Sequence, residues 1–246
     1  MSLQSILIIV GAIGVGSFIK GATGQGLPQL AIPVMATFIG VERAVVIMAI
    51  PGIVSNSWLL WTYREHFSRT RDLPALLITG TAGAVAGTVL LDTLNENALS
   101  LILASMICLY AIVFFTHPDL RLTPALTRLT SAPVGLAAGV LQGATGISGP
   151  LVSTYMHGYR LEKEVYVLSI TTIFQVYAVV QALTLAAVGL YTPSLLGVSL
   201  LSLVPIMTLL PLGTHFTNRL SRRTFDRVVL VLLLASAIKL IYDGLH

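Results

Sequence analysis

Six stretches of the chain are apolar over nearly the whole length that a membrane-spanning helix requires, which is about 20 residues. Charged residues are almost absent from them, and polar residues cluster in the short segments between them. This alternation predicts a polytopic membrane protein. The predicted spans are 44–61, 73–91, 98–115, 165–190, 195–212 and 228–242.

Two further apolar segments, 3–39 and 132–156, are each interrupted by a Gly-rich stretch. The first break reads Lys-Gly-Ala-Thr-Gly-Gln-Gly-Leu-Pro over 20–28, and the second reads Gln-Gly-Ala-Thr-Gly-Ile-Ser-Gly-Pro over 142–150. The Gly-Ala-Thr-Gly core and the final proline recur at one constant offset along the chain. Two such matches indicate an internal duplication, which is typical of transporters.

The constant offset also pairs Glu42 with Glu164, at the start of the next span in each half. The predicted organisation is therefore a first membrane repeat over 1–116, a cytoplasmic linker over 117–131 and a second membrane repeat over 132–246.

Basic residues predict the orientation, because short cytoplasmic loops are enriched in Lys and Arg. If each broken segment enters and leaves the membrane on one side, as a hairpin, all the basic loops face the cytoplasm. If each crossed once, the cluster in 219–227 would face outside. The basic residues concerned are Arg64, Arg69, Arg71, Arg121, Arg128, Arg160, Lys163, Arg219, Arg222, Arg223 and Arg227.

Length also favours hairpins. The arms of the broken segments have roughly 10 to 17 residues, and at ~1.5 Å per residue most are too short for a ~30 Å core. The expected fold is an all-α polytopic membrane protein with two inverted repeats. Each repeat is a broken hairpin of short half-helices followed by three transmembrane helices, and both termini are periplasmic. Very short complete crossings with the same parity are the alternative.

Composition supports a bilayer environment and narrows the function. Of the 246 residues, 55% are hydrophobic and 10% are charged, whereas soluble domains carry about 25% charged residues. The net charge of +4 is modest, and the arginines lie in short loops between apolar runs, so no nucleic-acid partner is expected. The single cysteine, Cys108, excludes an internal disulfide. We find no nucleophile–base pairing and no metal-ligand spacing, so we expect no enzyme activity, cofactor or metal.

The two breaks are the candidate substrate site. Irregular backbone cannot face lipid, so it must be buried or line a cavity. Helices that restart at Leu27-Pro28 and Gly149-Pro150 would present free N–H groups to an anion, and the neighbouring polar side chains add donors. The candidate substrate-binding residues are Lys20, Gly21, Thr23, Gly24, Gln25, Gly26, Gln142, Gly143, Thr145, Gly146, Ser148 and Gly149.

Lys20 is the strongest of these candidates, because a cation inside a membrane is costly and usually functional. The alternative is that it reaches an interface with its long side chain. Small residues outside the breaks are better explained by helix packing. Several polar residues within spans are candidates for lining a cavity, or equally for hydrogen bonds between helices: Asn56, Ser57, Thr171, Thr172 and Gln175.

With these motifs and this order of spans and basic loops, the chain resembles the sulfite exporter TauE/SafE family (TSUP transporters) from Ile6 to about Leu240. The resemblance implies a multi-pass protein of the bacterial inner membrane that transports sulfur-containing anions such as sulfite, sulfoacetate or other organosulfonates. It leaves open whether the protein imports or exports them.

We therefore expect a secondary transporter that works by alternating access, with a small anion bound between the hairpin tips near the bilayer midplane. Its expected partners are the anionic substrate and the lipid bilayer. A coupling ion, H⁺ or Na⁺, and a homodimer are compatible with the sequence. The alternatives are an anion channel and a membrane scaffold or assembly partner without transport.

Overall fold

The computed structural model describes residues 3–70, 73–116, 123–215, 234 and 236–242. These residues form α-helices joined by short turns, with a 3₁₀ segment at Arg64–Arg69 and a further helical stretch over 236–242. The ten helices with defined bounds are α1 Leu3–Thr23, α2 Leu27–Ile39, α3 Val41–Tyr63, α4 Leu73–Thr93, α5 Glu96–Thr116, α6 Pro124–Thr145, α7 Gly149–His157, α8 Lys163–Ala187, α9 Pro193–Leu201 and α10 Leu203–His215.

Five helical segments are long and apolar enough to cross a membrane. Many large apolar side chains on the helices are exposed, as expected for surfaces that face lipid; Ile78 and Leu129, for example, are 72% and 75% exposed. The expected all-α polytopic membrane protein is therefore confirmed. The segments are Leu3–Thr23, Val41–Phe67, Leu73–Thr93, Lys163–Ala187 and Pro193–His215.

Two of the predicted spans are not single, fully described helices. The predicted span 195–212 lies within the spanning segment Pro193–His215, in which α9 and α10 meet at Ser202. Residues 228–233 and 235 of the predicted span 228–242 lie outside the described residues, and its part over 236–242 is helical; the basic cluster at 219–227 lies wholly outside the described residues.

The helix order repeats between the two halves of the chain. The first helix ends at Thr23 in one half and at Thr145 in the other, and α3 and α8 begin at Val41 and Lys163. These pairs follow the offset that relates the two sequence breaks. Helix α6 starts at Pro124, within the stretch 117–131 that the sequence predicts as a linker.

The first arm of each broken segment is longer than expected. Helices α1 and α6 have 21 and 22 residues rather than 10 to 17, so at ~1.5 Å per residue each is long enough to cross a bilayer core. The length prediction was wrong because the helix does not stop at the first glycine of the break. Only the second arms, α2 and α7, are short, with 13 and 9 residues.

Both breaks turn the chain back on itself. After the first break, the backbone of Leu27 lies against Gly16 of α1. After the second break, α7 returns along α6, because the hydroxyl of Tyr155 lies 3.0 Å from both the Thr130 and the Ser131 hydroxyl oxygens. In each broken segment the second arm therefore packs back against the first.

The two halves interlock through glycines. A Cβ on Gly143 of α6 would overlap the backbone of α4 at Ala84, and one on Gly21 of α1 would overlap the backbone of α10 at Leu210. Such close backbone approach is the usual role of small residues between membrane helices. Helix α4 thus packs on the first helix of the second half, and α10 packs on the first helix of the first half.

Candidate functional site

One cavity lies between the two breaks and is lined by both of them. The space within it that the centres of water-sized molecules can occupy is about 30 Å³. The wall also includes apolar and polar residues of α3 and α8. The polar side chains in the lining are Lys20, Gln25, Gln29, Asn56, Gln142, Ser148 and Gln181, and backbone is supplied by Gly26, Gly52, Gly146 and Gly149.

The breaks share one backbone geometry. Gly24 and Gly146 each follow the last residue of the first arm, with φ of 83° and 69°. A residue with a Cβ rarely adopts this left-handed conformation, so glycine is required to end the helix there. The amide of Gly24 donates to the carbonyl of Lys20 at 2.7 Å, and that of Gly146 donates to the carbonyl of Gln142 at 2.7 Å.

The threonines of the two breaks hold their own turns. The Thr23 hydroxyl lies 3.0 Å from the Ile19 carbonyl oxygen and 2.9 Å from that of Gln25. The Thr145 hydroxyl lies 2.7 Å from the Leu141 carbonyl oxygen and receives the Ile147 amide at 3.3 Å. Since one hydroxyl bonds both sides of the turn, each threonine fixes the shape of its break.

The N-termini of α2 and α7 both face the cavity. Their first backbone bonds run from Leu30 to Gly26 and from Val152 to Ser148, at 3.0 Å each. The preceding amides lie before the first helical bond. The N-cap residue Gly26 has no side chain to accept from them, and the side chain of the N-cap residue Ser148 makes no such bond. Proline occupies the second position of both helices, where its missing N–H costs no helical hydrogen bond. Two helix starts therefore direct free N–H groups and positive dipole ends at one space.

Lys20, when protonated, brings a full positive charge to this space. It is 1% exposed, and its Nζ donates to the Ser55 hydroxyl at 3.0 Å and to the Asn56 side-chain oxygen. Both partners are neutral groups of α3. No carboxylate of the described residues that line the cavity compensates the charge. A buried cation with neutral partners favours the arrival of an anion.

On the opposite wall, Gln142 occupies the repeat position of Lys20. Its Nε2 donates to Oε1 of Gln181 at 2.9 Å, and its Oε1 accepts from the Ser148 hydroxyl at 2.9 Å. Gln181 of α8 in turn donates to the carbonyl oxygens of Gln142 and Gly143 at 2.7 and 3.1 Å. This network ties the end of α6 and the start of α7 to α8.

Gln25 and Gln29 complete the polar wall beside the first break. Gln25 is 8% exposed, and its side-chain oxygen has no hydrogen-bond partner among the described residues. The Gln29 amide lies over Gly149, where a Cβ would overlap it. A buried amide atom without a partner costs about 1–3 kcal/mol, so this wall is suited to a polar ligand or water.

The structure brings many of the sequence-predicted residues to the cavity and places others beside it. Those on the cavity are Lys20, Gln25, Gly26, Gln142, Gly146, Ser148, Gly149 and Asn56. Those away from its lining are Gly21, Thr23, Gly24, Gly143, Thr145, Ser57, Thr171, Thr172 and Gln175. For the second group, contact with a substrate stays a prediction.

Several of the second group have clear structural contacts. Gly21 and Gly143 pack helices, and Gly24 turns the break. Gln175 donates to the Ser57 hydroxyl across α8 and α3 at 3.1 Å. The Thr172 hydroxyl bonds the Leu168 carbonyl at 2.8 Å, within its own helix.

Sequence reasoning missed Gln29 and Gln181 as lining residues. The available signal was weak, since each is a single amide within an apolar helix. Their repeat counterparts, Leu151 and Leu59, are apolar, so the duplication does not point to them.

The family model for the sulfite exporter TauE/SafE matches residues 7–240. Comparisons with curated proteins and with solved structures give no match.

Proposed function

The chain belongs to the sulfite exporter TauE/SafE family, a family of membrane transporters for sulfite and related sulfur anions, and we propose that it binds such an anion in the cavity between its two breaks. The proposed substrates are sulfite, sulfoacetate and other organosulfonates. The proposed mode is secondary transport by alternating access.

The charge pattern of the cavity supports this proposal most directly. Lys20 is the one charged side chain among the described residues that line it. Its charge adds to the helix N-termini of α2 and α7, so three positive features converge on one space. Sulfite and sulfonate groups carry three oxygens, and such groups accept several N–H bonds at once.

For the orientation, we propose that the two halves are inverted. The first hairpin then enters from the periplasm and the second from the cytoplasm of a bacterial inner membrane, with both termini outside. The interlocked packing of α4 on α6 and of α10 on α1 suits two halves that exchange conformations around a central site.

Ligand binding is tested by thermal unfolding of purified protein with sulfite, sulfate, thiosulfate, sulfoacetate, isethionate and simple carboxylates. A binder at 100 times its dissociation constant should stabilise the fold by about 2.7 kcal/mol. Lys20→Gln, which installs the residue of the repeat counterpart, should lose this stabilisation. The matched control is Lys239→Gln, because Lys239 is exposed outside the cavity. Unchanged stabilisation in Lys20→Gln would refute the site.

Transport is tested in liposomes with labelled sulfite or isethionate. A transporter should saturate and should exchange labelled anion for unlabelled anion on the other side. Voltage-driven flux without exchange would identify an anion channel. If there is neither flux nor ligand stabilisation, the scaffold alternative holds.

Orientation is tested by cysteine labelling after Cys108→Ser. Arg43 and Glu162 both follow the second arm of the hairpin in their own half, and both are exposed. In inverted halves, Arg43→Cys should react only from the periplasm and Glu162→Cys only from the cytoplasm. Labelling of both from one side would exclude the inversion.

A further inference from the structure

Among the described residues that line the cavity, Lys20 is the only one with an ionisable side chain. The two groups to which it donates, the Ser55 hydroxyl and the Asn56 side-chain oxygen, are neutral. We infer that Lys20 carries the coupling proton, so that the anion crosses the membrane together with one H⁺. This inference rests on the proposed function and adds its energy source.

The physical basis is the mutual dependence of two charges. A buried ammonium whose partners are a hydroxyl and an amide oxygen is costly in an apolar interior. A bound anion lowers that cost, and the ammonium lowers the cost of burying the anion. Protonation of Lys20 and occupation of the cavity therefore stabilise each other.

The step balances without any other reactant. On one side, neutral Lys20 takes up a proton on Nζ and a sulfonate enters as the counter-ion. After the conformational change, the sulfonate leaves and Nζ releases the proton to the same side. The neutral amine returns to its contacts with Ser55 and Asn56, where its remaining N–H bonds still donate. For a monoanion, one full cycle moves no net charge.

The surroundings of Lys20 contain few competing ionisable groups. Helix α2 has none over Leu27–Ile39. On α3 the ionisable residues are Glu42, Arg43 and Tyr63, near the helix ends, whereas Lys20 contacts residues 55 and 56. On α10, His215 is the last residue and is exposed.

Across the cavity, the ionisable residues of α6 and α8 are also remote from the lining. They are Arg128 near the start of α6, Lys163, Glu164 and Tyr166 in the first turn of α8, and Tyr177, which bonds the Leu76 carbonyl. Sodium is less suited to the cavity than a proton. Hard cations prefer carboxylate and carbonyl oxygens, and a sodium ion would have to lie in a cavity that already contains the ammonium group.

The test measures uptake of labelled isethionate and, in parallel, sulfite by liposomes containing wild-type protein. With the outside more acidic by one pH unit, proton symport should concentrate isethionate about ten-fold, since one unit corresponds to a factor of ten. A potassium–valinomycin potential should not change this ratio, and sodium should not be needed.

Lys20→Arg keeps the positive charge but cannot release the proton, because arginine stays protonated in proteins. We expect the pH gradient to concentrate isethionate less than two-fold in this variant, while exchange of labelled for unlabelled anion is reduced far less. Lys239→Arg is the matched control, and His215→Gln tests the ionisable residue at the end of α10. Both should keep the ten-fold ratio.

The outcomes separate this inference from the proposed function. If neither anion enters wild-type liposomes, the proposed function falls and the inference falls with it. If they enter but accumulation follows voltage or sodium rather than pH, the inference alone is overturned. It is also overturned if Lys20→Arg, or Lys20→Gln should the arginine variant not fold, still concentrates isethionate ten-fold.

Discussion

The side-chain amide of Gln181 lies 2.7 Å from the backbone carbonyl oxygen of Gln142 and donates to it. That carbonyl also accepts from the Gly146 amide, so the Gln181 amide adds a second bond to it at the end of α6. The Gln181 amide also donates to the backbone carbonyl oxygen of Gly143. The side-chain oxygen of Gln181 accepts from the side-chain amide of Gln142. One residue of α8 thus fixes the wall of the cavity opposite Lys20.

We predict that Gln181→Met lowers the free energy of unfolding by about 2–3 kcal/mol, because it leaves buried groups at the end of α6 unpaired. Methionine keeps the length of the side chain but removes the amide. Chemical unfolding in detergent gives the value. Gln175→Met on the same helix is the control, since its amide bonds Ser57 nearer the surface. Equal losses in both variants would contradict a special role for Gln181.

A second prediction concerns the junction of α4 and α8. Tyr177 is fully buried, and its hydroxyl donates to the Leu76 carbonyl at 2.8 Å. A Cβ on Gly80 would overlap the Tyr177 ring. Gly80→Ala should therefore destabilise the protein by about 1–3 kcal/mol, as expected for overpacking.

The matched control for that change is Gly197→Ala. Gly197 lies in α9 with no other atom within 4 Å of a Cβ, so alanine should be neutral or stabilise by up to about 1 kcal/mol through helix propensity. Melting temperatures of the two variants decide the matter. A neutral Gly80→Ala would show that the ring can move aside.

The duplicated break allowed much of the cavity to be predicted from sequence. A proline-ended break with a polar residue at each edge identified Lys20, Gln142 and Ser148, because irregular backbone in a membrane must be buried or line a cavity. The roles of the threonines were not predictable. A hydroxyl can bond the carbonyl four residues earlier or a ligand with equal ease, and Thr23 and Thr145 make the local bond.

The length of the first arms was unpredictable for a related reason. Glycine is read from sequence as a helix breaker, yet Gly21 and Gly143 are helical, and the backbone of another helix lies directly against each of them. That approach depends on α10 and α4, which are distant along the chain. Gln29 and Gln181 were missed because a single amide in an apolar helix is as typical of packing between membrane helices as it is of a cavity wall.

A third prediction follows from those two glycines. Gly21→Ala and Gly143→Ala should each lower stability by about 1–3 kcal/mol, because the added methyl meets backbone that cannot rotate away. Affinity for sulfite in the folded fraction should change less than three-fold. Thermal unfolding and ligand titration measure the two effects separately. A variant with unchanged stability but ten-fold weaker binding would instead place its glycine against the substrate.

A fourth prediction tests the electrostatics of the cavity with an isosteric change. Gln25 lines the cavity, is 8% exposed and has a side-chain oxygen without a described partner. Gln25→Glu keeps its shape and adds a negative charge to the space that contains Lys20. We expect at least ten-fold weaker binding of sulfite or isethionate, because a like charge next to a bound anion costs several kcal/mol.

The same substitution should not destabilise the empty protein to a comparable degree, since the new carboxylate would favour protonation of Lys20 and pair with the resulting ammonium. Gln175→Glu, outside the cavity lining, is the matched control for an added charge and should change affinity less than three-fold. Ligand titration at low and high salt gives both values. If Gln25→Glu binds the anions as tightly as wild type, the substrate does not occupy this cavity, and the charge on Lys20 serves another purpose.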